Sequence, residues 1–245
     1  MPLTPTAARE TDASFRREEE RIRSAYGARA GEACYAESVA GRFQIQERER
    51  HVLRLLDRHG LMPLAGKKIL EVGCGTGKWL RDLIAWGADP ESLFGVELLQ
   101  ASAARARRLC PQSVTIECGN AAELSFASES FDIVLQATVF TSVLDDDMKQ
   151  AMAAEMLRVL RPGGVIIWYD FFFKNPSNPY VKPVSSDEIR GLFPGCALEL
   201  QRVTLAPPLT RLLAQRSWAT CSVLSRVPTL CTHYLGAICR TPSIA

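Results

Sequence analysis

Between residues 67 and 170 the chain alternates two textures. Short apolar runs, KKILEV, LFGVEL, VTIEC, FDIVLQ and VIIWYD, predict strands. Between them WLRDLIAWG, SAARARRL and DDDMKQAMAAEMLRVL carry apolar residues at helical spacing. Apolar runs joined by helices argue for βαβ units and a parallel sheet covered on both faces. Upstream, residues 13–26 are charged and compatible with a helix. QIQERERHVLRLLDRH, residues 44–59, places Ile45, Val52, Leu53 and Leu56 at helical spacing and stops at Gly60. After Pro183 the pattern predicts a helix near 185–191, a strand near 197–205, a helix near 208–226 and a last strand near 231–239.

Composition narrows the class. A chain of 245 residues suits one α/β core with embellishments. Hydrophobic residues make up 47% and charged residues 23%, so the expectation is a soluble globular protein. The apolar runs are too short for a membrane span. MPLTPTAARETDASFRREEE has no apolar signal core, so a cytoplasmic location is expected. A net charge of +2 gives no strong electrostatic reason to expect nucleic acid. The eight cysteines (34, 74, 110, 118, 196, 221, 231 and 239) contain no CxxC pair. The expectation is no metal cage and free thiols in a reducing compartment.

The chemistry concentrates in ILEVGCGTGKW, residues 69–79. A strand that ends in a glycine turn and enters a helix is a nucleotide cradle in several folds. A P-loop needs glycine where Val72 stands and a hydroxyl where Trp79 stands. The dinucleotide fingerprint G-x-G-x-x-G needs glycine where Lys78 stands. What remains is E-x-G-x-G-x-G, with Glu71, Gly73, Gly75 and Gly77. This resembles the first motif of class I S-adenosylmethionine-dependent methyltransferases, a likeness that covers residues 67–170 in order. A ligand-free turn is the plain alternative, but it leaves the entropic cost of three glycines unexplained.

The resemblance implies a Rossmann-like α/β fold: a seven-stranded sheet of order 3-2-1-4-5-7-6, strand 7 antiparallel, helices on both faces and an N-terminal helical lid. It divides the chain into a lid segment, 1–62, and a methyltransferase domain, 63–245. It implies S-adenosyl-L-methionine as cofactor, with Glu71 facing the ammonium group and Gly73, Cys74, Gly75, Thr76 and Gly77 forming the cradle. Glu97, with Leu98 beside it, would hold the ribose hydroxyls. GNAAELSF, 119–126, would be the adenine loop, with Asn120 where the family usually has aspartate and Ala121 next to it. Gln136 ends the strand that passes the sulfonium, and LRVLRPGG is the family's usual helix-to-strand turn.

Methyl transfer from a sulfonium is an in-line displacement in which alignment dominates. The expected acceptor is a small molecule or glycan, and the acceptor atom an oxygen. An aliphatic hydroxyl needs a base, for which His233 and Asp170 are the candidates. Each has a plain alternative: a strand-end histidine bonded within the fold, and a cap for the following loop. Tyr169 and Tyr180 are candidate substrate contacts, and His51 and His59 are expected to be solvated. QATVFTS after the fourth strand lacks the acids of a magnesium site, so no metal is expected. TRLLAQRSWATCSVLSRV is expected to be a helical cover over the active-site edge. In the N-terminal segment, Tyr26 and Tyr35 suggest a lid, and Gln46 or Arg48 stands where it would reach the cofactor carboxylate. Competing functions are carbon methylation of a quinone or lipid ring, an inactive cofactor-binding module, and a protein methyltransferase. Oligomeric state is left open.

Overall fold

The computed structural model describes residues 5–27, 37–174 and 178–240, with side chains from residue 13 onward. Cys34, Tyr35 and residues 175–177 lie outside the described residues. The chain opens with α1 (Pro5–Gly27) and α2 (Val39–Arg58). The Ser38 side chain accepts from Gly41 N at 3.0 Å and starts α2 five residues earlier than the apolar spacing predicted. Then come β1 (Ile69–Val72), α3 (Lys78–Ala85), β2 (Leu93–Glu97), α4 (Gln100–Leu109), β3 (Thr115–Cys118) and β4 (Phe131–Ala137). α5 (Asp146–Val159) and β5 (Leu160–Phe171) follow, then α6 (Ser186–Leu192), β6 (Cys196–Leu205), α7 (Pro207–Leu213), α8 (Trp218–Leu224) and β7 (Cys231–Arg240).

The seven strands form one sheet in the order β3-β2-β1-β4-β5-β7-β6, with β7 antiparallel to both neighbours. Strand residues alternate between two cores. Ile69, Ile133, Leu135, Ile167 and Tyr169 pack with Val52, Leu55 and Leu56 of α2 and with Trp79, Leu80 and Leu83 of α3. Leu70, Val72, Val134, Ile166 and Trp168 pack with Met148, Met152 and Met156 of α5, with Ile189 of α6 and with Ile22 of α1. Because both faces are covered, the central strands are apolar at nearly every position, as the continuous runs implied. The two N-terminal helices contribute to these same two cores.

One predicted element is split. The helix expected over 208–226 breaks at Ser217, which is extended (φ −157°) and accepts from Thr220 N at 3.1 Å to begin α8 anew. α7 and α8 thereby fold back on α2. Phe43, Ala40, Leu205, Ala214 and Cys221 close a small third core there, with Trp218 edge-on to Phe43 at 5.6 Å. Among the described residues no helix is long and apolar enough to cross a membrane, and the seven described cysteines are free thiols.

Candidate cofactor site

β1 ends at Val72, and the chain reverses into α3 through Gly73–Gly77. Gly73 N and Cys74 N both donate to Val96 O, at 2.8 and 3.0 Å, and Gly77 N donates to Cys74 O at 2.8 Å. The three glycines have φ of +68°, +55° and +71°, the left-handed region where a Cβ is strained. Their surroundings differ. A Cβ on Gly73 would collide with Val139, and one on Gly77 would stand 2.6 Å from Cys110 Sγ. A Cβ on Gly75 would meet nothing within 4 Å. There the turn opens onto a cleft of about 250 Å³ at the carboxyl ends of β1, β2 and β4. This is the point where the strand order reverses, the usual ligand crevice of an open α/β sheet.

Glu97 is the polar centre of the cleft. Its Oε2 accepts from Gly75 N and its Oε1 from Leu99 N, both at 2.8 Å, so one carboxylate ties the glycine turn to the turn after β2. The side chain is buried, and burial raises its pKa, opposed by those two backbone donors. Each oxygen keeps a lone pair for a further hydroxyl. Leu98, Asn120 and Ala121 also line the cleft. Asn120 Oδ1 accepts from Ala122 N at 2.9 Å, and its Nδ2 donates to Glu19 Oε1 of α1 at 2.8 Å.

α1 covers this cleft, with Ile22 and Tyr26 in its wall. Tyr26 Oη lies 2.7 Å from Ser142 Oγ, and Ser14 Oγ donates to Asp145. Arg21 bonds the Ser142 carbonyl and pairs with Glu18 at 2.7 Å, and Glu18 accepts from Leu144 N. The wall after β4 is Ala137, Thr138, Val139 and Ser142. Thr138 has φ +60°, uncommon for a β-branched residue, and its N donates to Tyr169 O at 2.7 Å. Strain of this kind is often kept at functional sites. The sequence reading passed over Thr138, because a threonine at a strand end carries no signal of its backbone conformation. It also passed over Ile22, Ser142, Met148 and Met152, which reach the cleft only through the packing of α1 and α5.

Several expected site residues lie elsewhere. Cys74 is buried behind the turn against Gly95, and Gly77 packs on Cys110; with Thr76 they shape the cradle without lining the cleft. Gln136 is buried. Its Oε1 accepts from Val139 N at 3.0 Å and its Nε2 donates to Asp170 Oδ2 at 2.6 Å. Asp170 is fully buried. It also accepts from Trp168 Nε1 at 2.8 Å and Thr141 Oγ1 at 2.7 Å, and burial pushes its pKa up to about 6. With its oxygens saturated by donors, Asp170 locks the ends of β4 and β5 together and is not placed as a base.

His233 departs most from expectation. It lies on the sheet face packed by α2 and α3 and does not line the cleft. Its ring stacks on Tyr169 at 4.8 Å and 9°, and Nδ1 is 3.1 Å from Thr232 Oγ1. Burial first, then the charge of Arg48, lowers its pKa to about 3. An imidazole so reluctant to hold a proton is a poor general base near neutral pH. Tyr169 is buried, with its Oη 2.9 Å from Thr204 Oγ1, while Tyr180 is exposed.

Behind the glycine turn, Glu71 is 2% exposed and its Oε2 has no partner. Burial raises its pKa well above the usual carboxylate range, opposed by Arg48. Arg48 lies over the Trp79 ring at 4.2 Å, its Nε also buried without a partner. Gln46 is exposed.

A glycine cradle and an acid at the end of β2, on a sheet of this order, define a Rossmann-like cofactor-binding domain. Residues 69–164 match the family model described as a methyltransferase domain. A probable S-adenosylmethionine-dependent methyltransferase of Mycolicibacterium smegmatis is 38% identical over 103 residues, covering 42% of this chain and 37% of that protein. The ubiquinone biosynthesis O-methyltransferase of Azorhizobium caulinodans is 33% identical over 114 residues, covering 45% and 43%. In fold, an S-adenosylmethionine-dependent methyltransferase from Mesorhizobium loti superposes with a TM-score of 0.55 at 19% identity, over 76% of this chain and 96% of that one. Residues 69–164 thus form a methyltransferase domain similar to that of S-adenosylmethionine-dependent methyltransferases, and S-adenosylmethionine is the cofactor that this likeness implies. The chain covers 37% to 43% of the length of the two curated relatives described. Two vertebrate proteins named tRNA N(3)-cytidine methyltransferase also match, at 30% and 29% identity, so the relatives lend no support to excluding nucleic acid.

Proposed function

We propose that the chain transfers a methyl group from S-adenosylmethionine to an oxygen of a small-molecule or glycan acceptor, without a metal ion. The observation that carries the reading is the open face of Gly75 beside Glu97, at the mouth of one cleft that also holds Asn120. The cofactor brings an activated methyl on a good leaving group. The chain's own task is then to hold, align and exclude water. Glu97 accepts the ribose hydroxyls with its remaining lone pairs. Asn120 and Ala121 flank the adenine. Glu71 and Arg48, one buried carboxylate and one guanidinium each with an unpartnered atom, match the two charges of the methionine end. α1 closes over the cleft as a cover. No carboxylate occurs between Gln136 and Ser142 to hold a metal, which supports metal independence.

Carbon methylation of a quinone or lipid-like ring is the second reading. It is favoured by the apolar wall of Ile22, Val96, Val139, Val143, Met148 and Met152, and by the absence of a free base at His233 or Asp170. Incubation with ¹³C-methyl donor and pools of phenols, quinols and sugars separates the two readings. An O-methyl carbon resonance in the product is expected, and a C-methyl resonance replaces the first reading with the second. Tight binding of the donor with no product from any pool points instead to an inactive binding module.

A further inference from the structure

Away from the cofactor cleft, a recess of about 100 Å³ lies where α2 meets the end of α8, lined by Arg50, His51, Arg54, Ser222, Ser225 and Arg226. Arg50, His51 and Arg54 recur three and four residues apart, so they share one stripe of α2. Several arginines elsewhere in the chain are paired with an acid: Arg58 with Glu199, Arg21 with Glu18, Arg158 with Glu155. Among the described residues, no hydrogen bond or ion pair engages the guanidinium of Arg50, Arg54 or Arg226. Three like charges are gathered around one small space, and such an arrangement is costly unless an anion joins them.

The surrounding charges point the same way. The field at His51 comes from Arg54, Arg50 and Arg58, with no acid opposing, and adds to burial in lowering its pKa. Glu47 of the same helix is 1% exposed; it accepts from Leu205 N at 3.1 Å and bonds the Ser225 side chain, and burial raises its pKa, which those bonds and Arg50 oppose. From residue 200 onward the sequence contains Arg202, Arg211, Arg216, Arg226 and Arg240 but no aspartate or glutamate. The guanidinium fork matches phosphate oxygens, and the Ser222 hydroxyl adds a neutral donor, while the Ser225 hydroxyl donates to Ser222 O at 3.2 Å. The recess is smaller than the roughly 300–1,000 Å³ of a drug-sized site, and its size suits one charged group.

We propose that this recess binds a phosphate-type oxyanion, carried on a soluble molecule or on a lipid headgroup. Val223 and Val227 beside it in sequence are 62% and 42% exposed, which makes the headgroup source worth a separate arm. The test uses the full chain at constant ionic strength. Inorganic phosphate is titrated by calorimetry, and co-sedimentation is run with phosphatidylcholine vesicles with and without phosphatidylglycerol. Saturable phosphate binding is expected, weakened at least tenfold by Arg54→Gln with Arg226→Gln, while affinity for the demethylated cofactor is unchanged. Retention on phosphatidylglycerol vesicles that the double variant loses assigns the headgroup source. Phosphate binding without retention assigns a soluble one. Failure of both probes to bind, or binding that survives the double substitution, overturns the proposal.

Discussion

Gly75 and Gly77 are two residues apart and share a left-handed backbone, yet they answer to different demands. Alanine at either position carries about 1–2 kcal/mol of left-handed strain. At Gly77 the added carbon also stands 2.6 Å from Cys110 Sγ, so the fold bears the damage. At Gly75 it enters the cleft, so the ligand bears it. Gly77→Ala is therefore expected to lower the urea unfolding midpoint more than Gly75→Ala. Gly75→Val is expected to abolish binding of S-adenosylmethionine in a chain that still unfolds cooperatively. Calorimetry alongside urea titration checks both, and a Gly75→Val chain that binds normally would move the ligand off this turn. Glu97 makes a related prediction. Its side chain accepts two backbone hydrogen bonds, so Glu97→Ala should weaken cofactor binding at least tenfold, as expected for charged acceptors worth about 1.5–3 kcal/mol each.

At the scale of elements, α1 is held by polar contacts more than by core burial. Ile22 and Ala25 are its buried apolar residues among those described, while Ser14, Glu18, Glu19, Arg21 and Tyr26 bond the loops after β3 and β4. An element held this way is a candidate for opening at low energy. Arg21→Ala removes the bond to the Ser142 carbonyl and the pair with Glu18. Faster proteolytic cleavage within α1 is expected, slowed by the demethylated cofactor, together with a loss of cofactor affinity of about tenfold or less, the size of one charged hydrogen bond. Equal cleavage rates in wild type and variant would mean that these contacts do not hold the cover.

For the whole molecule, half-buried His233 and fully buried Asp170, the two groups expected as bases, become a statement about acid stability. His233 has its pKa lowered to about 3, chiefly by burial, from about 6.5 unfolded. Between those values the unfolded chain binds a proton that the folded chain does not, so stability falls as pH drops from 6.5 toward 3. Asp170, raised to about 6 by burial from about 3.9, acts oppositely: the folded state holds a proton between those values that the unfolded state has released. His233→Phe removes the first contribution and keeps the second. The variant should then lose less stability than wild type between pH 7 and pH 5, read as the shift in urea midpoint. Equal shifts would show that His233 does not carry the linkage.

What the sequence determined by itself was whatever one segment decides alone. Apolar runs buried on both faces identify β1, β2, β4 and β5 without knowledge of their partners. The E-x-G-x-G-x-G turn was legible because a left-handed backbone restricts the residue type locally, whereas Glu97 was singled out by the resemblance. The strand order came from the resemblance, and hydrogen-bonded pairing bears it out. Tertiary structure decided which chemical groups meet. His233 and Asp170 both stand at strand ends, as the topology implied. Yet the alternation of side chains across the sheet sends His233 to the face beneath Arg48 and Tyr169, and gives Asp170 to Gln136, Thr141 and Trp168. The break at Ser217 was hidden because helix-compatible residues continue through it; packing of α7 and α8 on α2 selects the bend. The cluster of Arg50, Arg54 and Arg226 was invisible for the same reason: its members come from α2 and from the turn after α8, far apart in the chain, and only their packing brings the charges into one recess.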